Sequence, residues 1–292
     1  MKSIVLISVF FGEFPYYFPL FRESANYNKD INWIIFTNQK CKNLNATYAP
    51  KIFGTHDNIK IIPFELIEFN NLASQKMDLK ADLSSSYKLC DFKPAYGKIF
   101  EDYIRGYDFW GHVDIDVIWG DMRKFLNEEA LSHDVVTGDQ RYISGVFTIY
   151  KNTEELKKIY SSFHDEYDRL IHTDKYETLD EVPIDFVLKR NPNLKIFSGF
   201  DCSGKRLPIV RYGKKRTPAR WRDGKLTIES YLKDYPGQGK FCGFGAETML
   251  FHLREAVSRH YVDLDTKMIH AVPEQAMYSM VAAKVKSMDR NK

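Results

Sequence analysis

Trp110-Gly111-His112-Val113-Asp114-Ile115-Asp116-Val117-Ile118-Trp119-Gly120 sets two carboxylates one residue apart in an apolar, β-branched run. Side chains of a strand alternate between faces, so Val113, Ile115 and Val117 are expected on one face and Asp114 and Asp116 on the other. One face packs and the other carries charge. Two ionised carboxylates that close repel each other and are costly to desolvate. A divalent cation with oxygen ligands is the simplest way to keep both charged, and it suggests a phosphate-bearing ligand. A strand end that merely faces solvent would tolerate the same pair. Tyr107, Phe109 and Trp110 before it and Trp119-Gly120-Asp121 after it describe a buried strand that stops abruptly. In open α/β sheets, ligands gather beyond the carboxyl ends of such strands.

On the N-terminal side, residues 3–10 (SIVLISVF) read as a central strand and 31–37 (INWIIFT) as a second, with a helix over Phe21 to Lys29 between them. Asn58 to Phe64 supplies a third strand ended by Pro63, and Ile67 to Leu83 a helix or an irregular excursion. Lys93-Pro94 is expected to open a helix running to Arg105, because proline suits a first helical turn and Tyr96, Ile99, Phe100 and Tyr103 share a face. Beyond the paired aspartates, His133 to Thr137 and Val146 to Tyr150 read as strands around the Gly138-Asp139-Gln140-Arg141 turn and Ser144-Gly145. Asn152, with Glu155 three residues on, is expected to start a helix reaching Leu170. Residues 172–181 form a polar loop before a further helix through Lys189. The class expected is α/β, with a central mixed, mostly parallel sheet flanked by helices. No internal repeat or linker divides it, so one domain is expected over 1–270, followed by a basic amphipathic tail over 271–292 with Lys284 and Lys286.

With 292 residues, 44% hydrophobic and 15% aromatic, the chain can bury a large core. Its 42 basic and 39 acidic side chains nearly balance, at a net charge of +3, which argues against a general nucleic-acid binder. Cys41, Cys90, Cys202 and Cys242 are far apart with no Cys-x-x-Cys, so neither a zinc site nor a disulfide framework is signalled and reduced thiols in a cytoplasmic setting are expected. Ile4 to Phe11 resembles a short signal-peptide core but ends in Gly12-Glu13-Phe14-Pro15 without a small-residue cleavage site; a buried first strand accounts for it. No apolar run nears the roughly 18 residues needed to cross a bilayer.

Four further segments carry chemistry. Phe10-Phe11-Gly12-Glu13-Phe14-Pro15 follows the first strand, where α/β enzymes place a nucleotide; Gly12 lets backbone approach a ligand, and Phe11 or Phe14 could face a base or simply pack. The loop lacks the several glycines of a dinucleotide or P-loop fingerprint. In Lys88-Leu89-Cys90-Asp91-Phe92-Lys93-Pro94, Asp91 and Lys93 fall at an expected helix amino end, an anion site, although Asp91 also fits an N-cap. Thr178-Leu179-Asp180-Glu181 offers two carboxylates for acid–base work, and Thr178 with Glu181 equally fits a capping box; Asp139 is a third acid–base choice. Between Lys205 and Lys225, nine cations face only Asp223, a cluster that either solvates a loop or binds phosphate or an anionic bilayer, with Trp221 placed to stack on a sugar.

The first strand with Phe-Gly-x-x-Pro, the second ending Phe36-Thr37-Asn38, the Lys-Leu-Cys-Asp-Phe-Lys-Pro-Ala-Tyr-Gly block, the Asp-x-Asp strand, and Ser144-Gly145-Val146-Phe147-Thr148 followed by Tyr150-Lys151-Asn152 occur in that order. Together they resemble a family of bacterial glycosyltransferases of the GT-A type associated with capsule and lipopolysaccharide synthesis, over most of residues 1–255. The resemblance implies a GT-A-like fold and a nucleotide-sugar donor, UDP-sugar favoured, held by Phe11, Gly12, Asp91, Lys93 and Asp114. It implies Mn²⁺ or Mg²⁺ on Asp114 and Asp116 with His252 as a third ligand, Asp180 or Glu181 as catalytic carboxylate, and Ser144, Gly145 and Trp221 toward the acceptor or sugar. A glycan or lipid-linked acceptor and peripheral contact with the inner membrane face follow from it. A lone His in the apolar run Met249-Leu250-Phe251-His252 is by itself more often a core residue, and Asn38 stands where the family often has aspartate.

Two rivals remain at this level. A sugar-phosphate nucleotidyltransferase would want a glycine-rich, basic first loop, which Phe11-Gly12-Glu13-Phe14 does not supply. A sugar-nucleotide-binding or assembly subunit without turnover would have little reason to keep both aspartates.

Overall fold

The structure is a computed structural model that describes residues 1–39, 58–138, 142–163, 167, 173, 175–198, 200–201, 206–207, 219–228, 249–252 and 260–271. Its centre is a seven-stranded sheet, and β9 (Phe200–Asp201) and β10 (Arg206–Leu207) form a separate antiparallel pair. Strands β1 (Ile4–Phe10), β2 (Ile31–Thr37), β3 (Ile59–Pro63), β4 (Phe109–Val113), β6 (Val135–Thr137), β7 (Phe147–Lys151) and β8 (Ile196–Ser198) lie in the order β3-β2-β1-β4-β7-β6-β8. The β3, β2, β1 and β4 run is parallel; β7 enters antiparallel between β4 and β6, and β8 is parallel to β6. The mixed, mostly parallel α/β sheet expected from the sequence is the one observed.

Near-continuous apolar runs suit strands buried on both faces, and β1 serves two cores at once. Ile4 and Leu6 pack with Trp33, Phe18, Phe21 and Ile149 on one side, whereas Val5 and Ile7 pack with Phe36, Phe69, Tyr96 and Trp110 on the other. The first layer is closed by α1 (Phe18–Tyr27) and by a four-stranded antiparallel sheet, β11 (Ala219–Arg222), β12 (Lys225–Ile228), β14 (His260–Asp263) and β15 (Met268–Ala271), in the order β12-β11-β15-β14. The second is closed by α2 (Leu66–Met77), a 3₁₀ helix over Ser86–Ala95 that leads into the one-turn α3 (Tyr96–Ile99), α4 (Glu154–Lys157) and α5 (Val182–Arg190). Glu65 and Glu68 form a reciprocal capping box that starts α2.

Three expectations need correction. The stretch from Trp110 to Gly120 is two strands, because β4 stops at Val113, the last residue with a partner on β7, and β5 (Val117–Trp119) pairs instead with β13 (Leu250–His252). Val113, Ile115 and Val117 still enter one core while Asp114 and Asp116 stay partly exposed, so the alternation survives the break. Lys93 opens no long helix: it sits in the last turn of the 3₁₀ segment. Asn152 caps nothing; its amide donates to the carbonyls of Ile104 and Tyr107, and Thr153 caps the short α4 through Leu156 N–H. Residues 272–292 of the expected tail lie outside the described residues. Among the described residues no helix is long and apolar enough to cross a membrane.

Candidate active site

The reversal from parallel to antiparallel pairing at β4 leaves a crevice beyond the carboxyl ends of β1 and β4, the place where such sheets bind ligands. A cavity of about 610 Å³ fills it. Phe10 at the end of β1, Phe11 from the loop after it, Asp114 and Asp116 from the β4–β5 link, Gly145 before β7, and Asp180 and Glu181 before α5 all line it. Gly12, at φ +121°, turns the first loop, and its N–H donates to Asn38 Oδ1 at 2.9 Å, so Asn38 ties the β1 and β2 loops together. Phe14 turns inward and stacks on Phe10 and Phe18.

Lys93 organises the cavity wall. Its ammonium, almost fully buried, lies 2.7 Å from Asp114 Oδ1 and 3.1 Å from Asp180 Oδ2, and donates to the Gly145 carbonyl at 2.7 Å. Burial by itself pulls its pKa down; the charges of Asp114, Cys90 and Asp180 more than offset that and hold it well above the usual lysine value. Asp180 also accepts the Tyr176 hydroxyl on Oδ1 at 2.7 Å, so both its oxygens are engaged. Gly145 permits this approach, since a Cβ there would stand 2.4 Å from Asp180 Oδ2. Glu181 sits beside it as the N-cap of α5 without a side-chain cap bond, and Thr178 adopts φ +60° in the turn before it, so the expected capping box is absent.

Asp91 has a different task from the one expected. It is fully buried, pairs with Lys88 at 2.9 Å, and accepts the N–H groups of Glu177 and Leu179, each at 2.9 Å. It anchors the loop that presents Asp180 and Glu181 and does not itself face the cavity. The ammonium of Lys88 reaches the Lys175 carbonyl at 2.6 Å, closing the same latch.

Behind Gly145, Ser144 is fully buried and its carbonyl accepts from His112 Nε2 at 3.2 Å and from Thr148 Oγ1 at 2.8 Å. The carbonyl acceptor makes Nε2 the protonated nitrogen of His112. Burial and then the Lys93 charge push the His112 pKa down to about 3, so the imidazole is neutral. His112 shares the parity of Asp114 in the Trp110 to Gly120 stretch, the signal by which sequence could have placed it behind the site.

Residues 6–278 match the profile of DUF6625, described as a family of unknown function. The chain belongs to this family. Among solved structures, the DUF6625 chain is similar to the glycosyltransferase GlyE of Streptococcus pneumoniae TIGR4, at 12% identity and a TM-score of 0.37, over 68% of this chain and 45% of that one. The apo form of GlyE gives 11% identity and 0.36 over the same shares. Mouse xyloside xylosyltransferase 1 in its apo form gives 8% identity and 0.40, over 69% of this chain and 85% of that one. The chain thus spans less than half the length of the pneumococcal protein. No match was found among curated proteins.

In this DUF6625 chain Trp221 is core rather than a sugar platform. It is buried, donates from its indole N–H to the Trp119 carbonyl at 2.8 Å, and meets the edge of Tyr27. The alternation Arg220-Trp221-Arg222 on β11 already carried that sign, with the cations outward and the indole inward. Register places the backbone of His252 opposite Val117, next along the chain from Asp116. Asp139, Lys205 and the part of the basic segment from 208 to 218 lie outside the described residues. Among the described residues no group of three or more His, Cys, Asp or Glu side chains is placed to hold a metal ion.

Proposed function

We propose that this chain is a metal-dependent glycosyltransferase that moves a sugar from a nucleotide-sugar donor, UDP-sugar favoured, to a glycan or lipid-linked acceptor in bacterial surface polysaccharide synthesis. The observation that carries this reading is the charge of the cavity. Among its described lining residues Asp114, Asp116, Asp180 and Glu181 face a single cation, Lys93. An anionic diphosphate would be repelled from such a wall unless a divalent ion entered with it.

The two partly exposed carboxylates fit that ion. Mg²⁺ or Mn²⁺ is commonly held by one or two carboxylates, with substrate phosphates and water completing its shell. Asp114 and Asp116 would hold it, with His252 as a third ligand, and when bound it would neutralise charge on the leaving diphosphate. Lys93 holds Asp114 in place through their ion pair, and Phe11 with Gly12 offers the nucleotide its side of the cavity. In the transfer, an acceptor oxygen bonds to the anomeric carbon, the bond from that carbon to the diphosphate oxygen breaks, and the acceptor proton goes to a carboxylate. Asp180 and Glu181, which both line the cavity, are the carboxylates for that proton.

A thermal-shift comparison of UDP-, GDP-, CMP- and dTDP-sugars with Mn²⁺, Mg²⁺ or chelator tests the reading. A UDP-sugar is expected to raise the melting temperature only with an ion present, and Asp116→Ala to abolish the shift without changing the melting temperature of the free protein by more than a few degrees, about what a surface substitution allows. No shift with any donor and either ion would overturn it.

A further inference from the structure

Two tyrosines at the mouth of the cavity have no task in the transfer just described. Tyr87 lines the cavity yet is 63% exposed, which puts its ring at the rim. Tyr176 lines it as well, and the two rings meet edge to face with centroids 5.1 Å apart. The Tyr176 hydroxyl is fixed by its bond to Asp180. Burial and the Asp180 charge push its pKa up, so the phenol remains a donor. The pair therefore belongs to the wall that carries Asp180 and Glu181.

Aromatic surface beside carboxylates suits a neutral, hydroxyl-rich ligand. The C–H face of a sugar ring packs on an aromatic ring, and its hydroxyls donate to carboxylate oxygens. A ligand with its own carboxylate or phosphate would meet Asp180 and Glu181 as like charges, which is unfavourable at close range. Lys93, the described cation of the lining, is already engaged by two carboxylates. We infer that Tyr87 and Tyr176 form the acceptor subsite and that the sugar unit seated on them is neutral, rather than a uronic acid or a sugar phosphate. This rests on the transfer reading and adds the acceptor class to it.

Saturation-transfer NMR with methyl β-glucoside, methyl β-galactoside and methyl α-mannoside, against methyl β-glucuronide and glucose 6-phosphate, tests the inference, with UDP and Mn²⁺ titrated calorimetrically on the same samples. At least one neutral glycoside should bind the wild-type chain and the charged probes should not. Tyr87→Ala should weaken that binding about tenfold while leaving UDP affinity unchanged. Phe186→Ala, which removes an exposed ring on α5 outside the cavity lining, should change neither. Equal binding of charged probes, no binding of any neutral glycoside with UDP and Mn²⁺ present, or full binding by Tyr87→Ala overturns the inference. So does a Tyr87→Ala loss confined to UDP, which would make the ring a nucleobase platform. If UDP fails to bind but a neutral glycoside binds through Tyr87, the donor reading fails and the saccharide subsite stands.

Discussion

The ammonium of Lys93 stands 2.7 Å from Asp114 and reaches Asp180 on its other side, so one buried cation joins the link after β4 to the loop before α5. Two carboxylates from distant parts of the sequence owe their positions to that group. Removing it takes the ammonium away from a buried Asp180 and a partly exposed Asp114.

Lys93→Met should therefore destabilise the fold by about 3 to 5 kcal/mol, the usual consequence of breaking a buried pair from one side. Adding Asp180→Asn should recover part of the loss, measured as the urea midpoint of the single and double variants. Because the folded pKa of Lys93 is raised, its contribution is fully present below the unfolded lysine value and fades only as pH rises through the folded one. The gap between wild type and Lys93→Met should thus hold through neutral pH and narrow on the alkaline side. A Lys93→Met chain as stable as wild type at pH 7 would remove the pairing from the account.

His112 sets the acid side. Its pKa is about 3 in the folded chain against an ordinary 6.5, so the unfolded chain binds the proton first. A depressed group contributes stability above its unfolded pKa and loses it as pH falls toward the folded value. Between pH 6.5 and 5, before most carboxylates titrate, stability should fall with a slope approaching about 1.4 kcal/mol per pH unit. His112→Gln should flatten that limb, and an unchanged slope in the variant would show that another group sets it.

For Asp91 the prediction separates anchoring from ligand contact. Asp91→Asn leaves Lys88 buried without its partner and weakens the hold on Glu177 and Leu179, so a loss of about 3 kcal/mol or more is expected. Donor KM should stay within about twofold once the variant is assayed well below its melting temperature, because Asp91 does not line the cavity. A raised KM at full stability would return Asp91 to the nucleotide.

Gly145→Ala tests the tightness of the wall. The added methyl would stand 2.4 Å from Asp180 Oδ2 and 3.2 Å from Glu181 Cγ. Overpacking of this kind costs about 1 to 3 kcal/mol. The larger effect should be on turnover, down about a hundredfold, since a small misplacement of reacting groups costs that much. Wild-type turnover would show that Asp180 can move aside freely.

What the sequence determined by itself is the architecture near the chain's start and the stretch whose two carboxylates line the cavity. The runs over β1 and β2 are apolar enough to be recognised as doubly buried strands, and the Asp-x-Asp pair interrupts such a run with charge that needs a compensating cation. These are local properties, legible because strand periodicity and charge repulsion act between neighbours. The tertiary structure decided which polar residues face the cavity. Asp91 and Lys93 lie two apart in one segment, yet one anchors a loop and the other lines the site, because Asp91 receives the Glu177 and Leu179 N–H groups whereas Lys93 meets Asp114 and Asp180. The break after Val113 depends on where β7 starts, at Phe147, and where β13 ends, at His252. Trp221 is core because the Trp119 carbonyl waits for its indole. Each of these rests on burial and hydrogen-bond pairing between segments far apart in the chain, which are settled only when the sheet brings them together.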